Sequence, residues 1–212
     1  MKYELTDNTK DHFVTTLYQI KALKDFDDVK AGDLGGWVAS ENNLSQEGNC
    51  WVFGDAKVSG DAWVSGNAKV YGNAWVYGDA WVYGDAWVSG NAKVYGNAWV
   101  FGDAKVYDDA WVSGNAGVYG DAKVYGNAWV YGDAGVYGDA WVKRGSYENT
   151  PTNIARSDGY TFTIQSDGSI VAGCRDFTPE QADEHWGSAD HHMHDESWAI
   201  VMALRAIAEA RT

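Results

Sequence analysis

Ala74-Trp75-Val76-Tyr77-Gly78-Asp79-Ala80-Trp81-Val82-Tyr83-Gly84-Asp85 writes one six-residue unit twice. Extended in both directions, the unit places valine at every sixth position from Val52 to Val142, sixteen consecutive hexads without a gap. The consensus is Ala-Trp/Lys-Val-Tyr/Ser-Gly-Asp/Asn. Ala and Val alternate with Trp/Lys and Tyr/Ser, which is the pattern of a strand with one buried face. The small residues point inward and the large or charged ones outward. Gly followed by Asp or Asn supplies a corner, because these residues tolerate positive φ. Four strand residues and a two-residue corner are too few for a hairpin meander with a core. A coil that turns the same way at each corner fits them, each strand bonding to the coil below at ~4.8 Å. Low-complexity disorder does not fit, because disordered tracts are poor in Val and Trp.

These hexads resemble the repeat of left-handed parallel β-helix proteins. The resemblance implies the left hand, three hexads per triangular coil, and about six coils in a prism roughly 25–30 Å tall. Two looser hexads, at Val38 and Leu44, precede the regular run, with a two-residue insertion before Val52. The stretches Ile20–Phe26, Asp28–Val38 and Asn43–Val52 are similar to the opening of uncharacterised phage, prophage and enterobacterial hexapeptide-repeat proteins often labelled putative transferases. Together these features predict a mainly β chain. Residues 1–36 form an N-terminal β cap, 37–143 the β-helix, and 146–212 a small C-terminal α+β module.

The caps are expected on physical grounds, since the ends of a β-helix expose unpaired strand edges. Phe13–Ile20 reads as a strand that Met1–Leu5 could pair with. In the tail, Tyr160–Gln165 and Ser169–Cys174 flank a Ser-Asp-Gly turn and read as a hairpin. Thr178-Pro179-Glu180-Gln181 carries a capping box and a proline at the first helical position, which predicts a helix to about Trp186. Asp195 or Ser197 is the expected cap of a final helix through Ala210, with Trp198, Val201, Leu204 and Ala208 on its apolar side.

The net charge of −14 divides as −4, −5 and −5 among residues 1–50, 51–142 and 143–212. An evenly acidic surface disfavours nucleic acid and anionic membranes as partners. No apolar run approaches the ~20 residues of a membrane helix, and the start lacks a signal-peptide core. A cytoplasmic protein is expected, in the host cytoplasm if phage-encoded.

Three hexads per coil stack every third hexad on one face. The face through Val64, Val82, Val100, Val118 and Val136 contains no lysine. Trp63, Trp81, Trp99, Gly117 and Gly135 precede its valines; Ser65, Tyr83, Phe101, Tyr119 and Tyr137 follow them. This aromatic surface is the candidate binding surface, for a protein partner, a second copy or a small molecule. Gly117 and Gly135 replace bulky residues, so part of the tail, around Trp198, Val201 and Leu204, is expected to fold back onto them. The adjoining corner carries Asn67, Asp85, Asp103, Asp121 and Asp139, read as solvated corner residues or a weak divalent-cation column. His185, His191, His192 and His194, with Cys174, are a candidate zinc set of non-standard spacing.

Hexapeptide acyltransferases use a histidine base, but no histidine lies between Phe13 and Glu184. No catalytic residue and no cofactor is therefore assigned. The leading reading is a non-catalytic phage-type binding or scaffold protein. The alternatives are an inhibitor of host defence, acting by ligand sequestration or partner binding, and an acyltransferase.

Overall fold

The structure, a computed structural model, describes residues 1–173, 175–188 and 193–210. Its centre is a parallel β-solenoid of about six coils, with two-residue strands on three faces. The register advances by eighteen residues per coil: Trp63 pairs with Trp81, Trp81 with Trp99, Trp99 with Gly117, and Gly117 with Gly135. We call the faces by their first regular strands: the Lys57 face, the Trp63 face and the Trp51 face. Every repeat alanine and valine from Val52 to Val142 is buried, while the tryptophans from Trp63 to Trp141 lie at least partly in solvent. Alternation thus assigns the inner and outer sets correctly.

The corner glycines show why the repeat needs them. Gly102 has φ +70, and a Cβ there would sit 3.1 Å from the backbone N of Gly120 one coil on. Asp108 occupies the one corner without glycine, at φ 58, and its Oδ2 accepts the Gly126 N–H at 3.2 Å. The next corner position explains the mixture of Asn and Asp. Asn97 Nδ2 donates to Asn115 Oδ1 (3.1 Å), and Asn115 Nδ2 to Asp133 Oδ1 (2.8 Å). An amide below a carboxylate replaces repulsion with a hydrogen bond.

Strands β1 (Tyr3–His12) and β2 (Thr15–Ala22) form an antiparallel hairpin. β2 pairs with β3 (Leu34–Val38), which pairs in parallel with Lys57–Val58, so the hairpin closes the lower edge of the Lys57 face. Phe13 and Val14 are not in a strand as expected. They form the hairpin turn, with Phe13 at φ 54 and both side chains exposed. Beneath the coils, Trp51 is buried among Tyr3 and Phe26, an aromatic plug at the outer position of its hexad.

The tail contains a four-stranded antiparallel sheet (Asn153–Ala155, Thr161–Ile164, Ile170–Ala172, Arg175–Phe177) and two helices. The expected hairpin is its central pair. Helix α1 (Pro179–Trp186) has the expected Thr178/Gln181 capping box. Helix α2 (His194–Glu209) differs from expectation: it starts after Met193 at φ 60, and neither Asp195 nor Ser197 caps it. Ser197 lies in the first turn, where its hydroxyl accepts from Arg156 at 2.9 Å. No described helix is long and apolar enough to cross a membrane.

The tail also satisfies the upper strand edges, with side chains in place of a further coil. Thr163 Oγ1 accepts the Trp141 N–H (3.2 Å). Gln165 accepts the Lys143 N–H (2.8 Å) and donates to the Trp141 carbonyl (3.0 Å). Thr150 Oγ1 accepts the Gly135 N–H at 3.1 Å. Lys143 and Arg144 both pair with Asp176.

Candidate functional site

Outer aromatics are treated differently on the three faces. On the Lys57 and Trp51 faces, lysines lie over tryptophans: Lys10 over Trp37 (4.0 Å), Lys93 over Trp111 (4.4 Å), Lys105 over Trp87 (5.1 Å) and Lys123 over Trp141 (3.6 Å). Ser59 and Ser113 add hydrogen bonds from the Trp75 and Trp129 indole N–H groups. Intramolecular cations and hydroxyls thus occupy much of the aromatic surface there.

The Trp63 face has no lysine to do this. Trp81 stacks on Trp99 at 6.2 Å, and each is 50% exposed, the highest among the tryptophans. Beside them Tyr83, Phe101, Tyr119 and Tyr137 form a continuous stack with centroid spacings of 4.9, 5.0 and 5.4 Å. Stacked rings spend their π-faces on one another, so the ladder presents mainly edges to solvent. Trp99 is the exception. Its lower neighbour is Trp81, and its upper neighbour is Gly117, which has no side chain.

The expected fold-back of α2 onto Gly117 and Gly135 is not found. Val201 and Leu204 are buried against Phe162, Ile170 and Trp186 of the tail's own core, and Trp198 packs at its margin. The tail sheet already gives the helix an apolar partner. A Cβ on Gly117 would meet only the Tyr119 ring, at 3.6 Å. One on Gly135 would meet Tyr137 and the Thr150 hydroxyl. The rings of Tyr119 and Tyr137 stand beside these glycines, and Thr150 reaches Gly135 from the tail.

Carboxylates border the face on both sides. One corner carries Asp61, Asp79 and Asp133, the other Asp85, Asp103, Asp121 and Asp139. Near the top, Asp133, Glu148, Asn149 and Thr150 line a cavity of about 420 Å³. Lys105 and Lys123 stand across the second corner, on the Trp51 face, sharing a groove with Asp103 and Asp121. Burial and the neighbouring Lys105 push the Lys123 ammonium below its ordinary pKa. Among the described residues, no group of three or more His, Cys, Asp or Glu is placed to hold a metal ion.

His185 stacks on Phe177 at 5.0 Å in a cleft of about 700 Å³ that also includes Arg175 and Glu184. His194 begins α2, 3.9 Å from Asp195. His191, His192 and Cys174 lie outside the described residues.

Two features carry no signal in the sequence. The hairpin brings His12 onto the solenoid wall, 4.5 Å from Trp75, where Nε2 is buried without a hydrogen-bond partner. Burial, then Lys57 and Lys10, lower its pKa, favouring the neutral imidazole. Below the coils, Lys2 is fully buried, with Nζ 2.9 Å from the Cys50 carbonyl and 3.2 Å from its Sγ. Burial lowers the lysine pKa and raises that of the thiol. A lysine next to Met1 does not announce its burial. His12 can be placed only by knowing where the hairpin docks.

Comparison with known proteins follows the solenoid. Residues 68–84 match the YdcK β-solenoid repeat. A 47-residue stretch, 22% of this chain, is 51% identical to the uncharacterized acetyltransferase YdcK of Escherichia coli strain K12, and the match spans 14% of that relative's length. The hexads of residues 68–84 are therefore similar to the YdcK repeat, and the chain folds through its hexads into a β-solenoid.

Proposed function

We propose that this chain is a non-catalytic binding or scaffold protein of phage or prophage type, acting through the Trp63 face. One observation carries this reading: Trp63, Trp81 and Trp99 occupy successive rungs beside an aromatic stack on a face without lysine, whereas on the other faces lysines lie over Trp37, Trp87, Trp111 and Trp141. Contiguous exposed apolar surface of this kind marks interaction sites. The rigid solenoid holds the surface in shape, so little ordering entropy opposes binding. The test is photo-cross-linking in host extract from positions 81 and 99, compared with 111 and 129 on the Lys57 face. A partner captured from the first pair and absent from the second supports the reading. Equal capture from both, or none from either, refutes it.

The relative's printed name and the neutral His12 favour acyl transfer as a second reading. A base must reach the acceptor hydroxyl, and His12 Nε2 lies buried against Trp75. We expect no thiol release from acetyl-CoA over a panel of hydroxyl and amine acceptors. Turnover abolished by His12→Ala would establish the enzyme instead.

A further inference from the structure

The way this molecule treats its own tryptophans indicates what should lie on the uncovered ones. Trp111 and Trp141 each carry a lysine from the coil below, Lys93 and Lys123, and Trp87 lies between Lys69 of the coil below and Lys105 of the coil above. Trp99 has Trp81 below and Gly117 above, so the upper rung, which at Trp87 holds Lys105, carries no side chain here. Gly135 repeats the opening one coil higher, making a notch two rungs, or ~10 Å, tall. The Trp99 ring forms its lower wall. Tyr119 and Tyr137 line one side, and the Thr150 hydroxyl reaches Gly135 from above. Asp133 and Glu148 share the cavity that includes Thr150, so carboxylates stand at the upper end of the notch.

We propose that the Trp63 face docks a basic segment of another protein, with one arginine or lysine side chain laid on Trp99 in the space that Gly117 leaves and a further basic side chain of the segment paired with Asp133 and Glu148 at the upper end of the notch. This rests on the proposal that the face is an interaction surface, and it names the chemistry of the partner. Charge complementarity selects the occupant. The face contains no cation, its two corners carry seven aspartates, and the chain's net charge is −14. A second copy would set carboxylate corner against carboxylate corner. A cation over an indole is favourable, and rim carboxylates steer a basic partner to it. Arginine suits the notch best, because its planar guanidinium stacks on aromatic faces.

Titration of the full chain with an acetylated hexaarginine peptide, and with the neutral citrulline peptide of the same length, tests this at physiological salt. Wild type should bind hexaarginine at least tenfold more tightly than the citrulline peptide. Trp99→Ala should weaken binding by about fivefold, the range of one cation–π contact. Gly117→Lys should do the same by supplying the cation in cis, and the room at Gly117 allows this side chain without rebuilding the coil. Trp111→Ala, on the Lys57 face, should bind as wild type does. The idea is wrong if hexaarginine does not bind, if Gly117→Lys binds as tightly as wild type, or if Trp111→Ala loses as much as Trp99→Ala. A face that cross-links a partner while hexaarginine fails would keep the interaction surface and remove its cationic occupant. Failure of both would remove both.

Discussion

Gly54 and Gly102 occupy equivalent corners, both with φ in the left-handed region, but their surroundings differ. A Cβ on Gly54 would meet nothing within 4 Å, whereas one on Gly102 would crowd Gly120 at 3.1 Å. Gly54→Ala should therefore cost about 1 kcal/mol, the backbone penalty alone, and Gly102→Ala about 2 kcal/mol or more. Chemical denaturation of the two variants measures the difference. Equal losses would show that the coil above contributes nothing to the requirement for glycine. A second residue-scale consequence concerns pH. Tyr147 is buried, and its phenol pKa is pushed up to about 12, mainly by desolvation. A phenol that ionises at ~10 when unfolded and near 12 when folded contributes stability that is fully present below pH 10 and is lost between about 10 and 12. Alkaline unfolding should show this decline, and Tyr147→Phe should flatten it.

At the scale of elements, the coils are legible in the sequence and the docking of the tail is not. A strict six-residue period, three to a coil, fixes which residues stack, so the period alone names every residue of the Trp63 face. The α1 cap is equally legible, because Thr178, Pro179 and Gln181 act within one turn. Side chains that satisfy another element's backbone leave no periodic trace. Nothing in Thr150, Thr163 or Gln165 announces that they close the last coil. The misplaced α2 has the same origin: its apolar stripe is visible, but the sheet that receives it consists of four short strands, and the outer two, Asn153–Ala155 and Arg175–Phe177, have three residues each, too few to show an alternation. Gln165 provides the test at this scale. It is buried, accepts from Lys143 N–H and donates to the Trp141 carbonyl. Gln165→Leu would leave both groups unpaired and should destabilise the tail's attachment by about 2–4 kcal/mol. Limited proteolysis should then release the tail while residues 52–142 stay protected. A tail as resistant as wild type's would mean that Lys143, Arg144 and Asp176 hold it without Gln165.

For the whole molecule, the two ends and the three faces divide the work. The β1–β2 hairpin closes the lower edge of the Lys57 face, and tail side chains close the upper edges of the other two, which opposes end-to-end stacking of chains. Two faces carry cations over tryptophans. The Trp63 face is left with exposed aromatic surface between acidic corners, and the proposed binding role rests on this asymmetry. Oxidative footprinting of tryptophan side chains, in purified protein and in host-cell extract, tests it most directly. Trp81 and Trp99 should become protected in extract, while Trp111 and Trp129, 38% and 39% exposed on the Lys57 face, oxidise as they do in the purified protein. Unchanged oxidation of Trp81 and Trp99, or equal protection of all four, would contradict it.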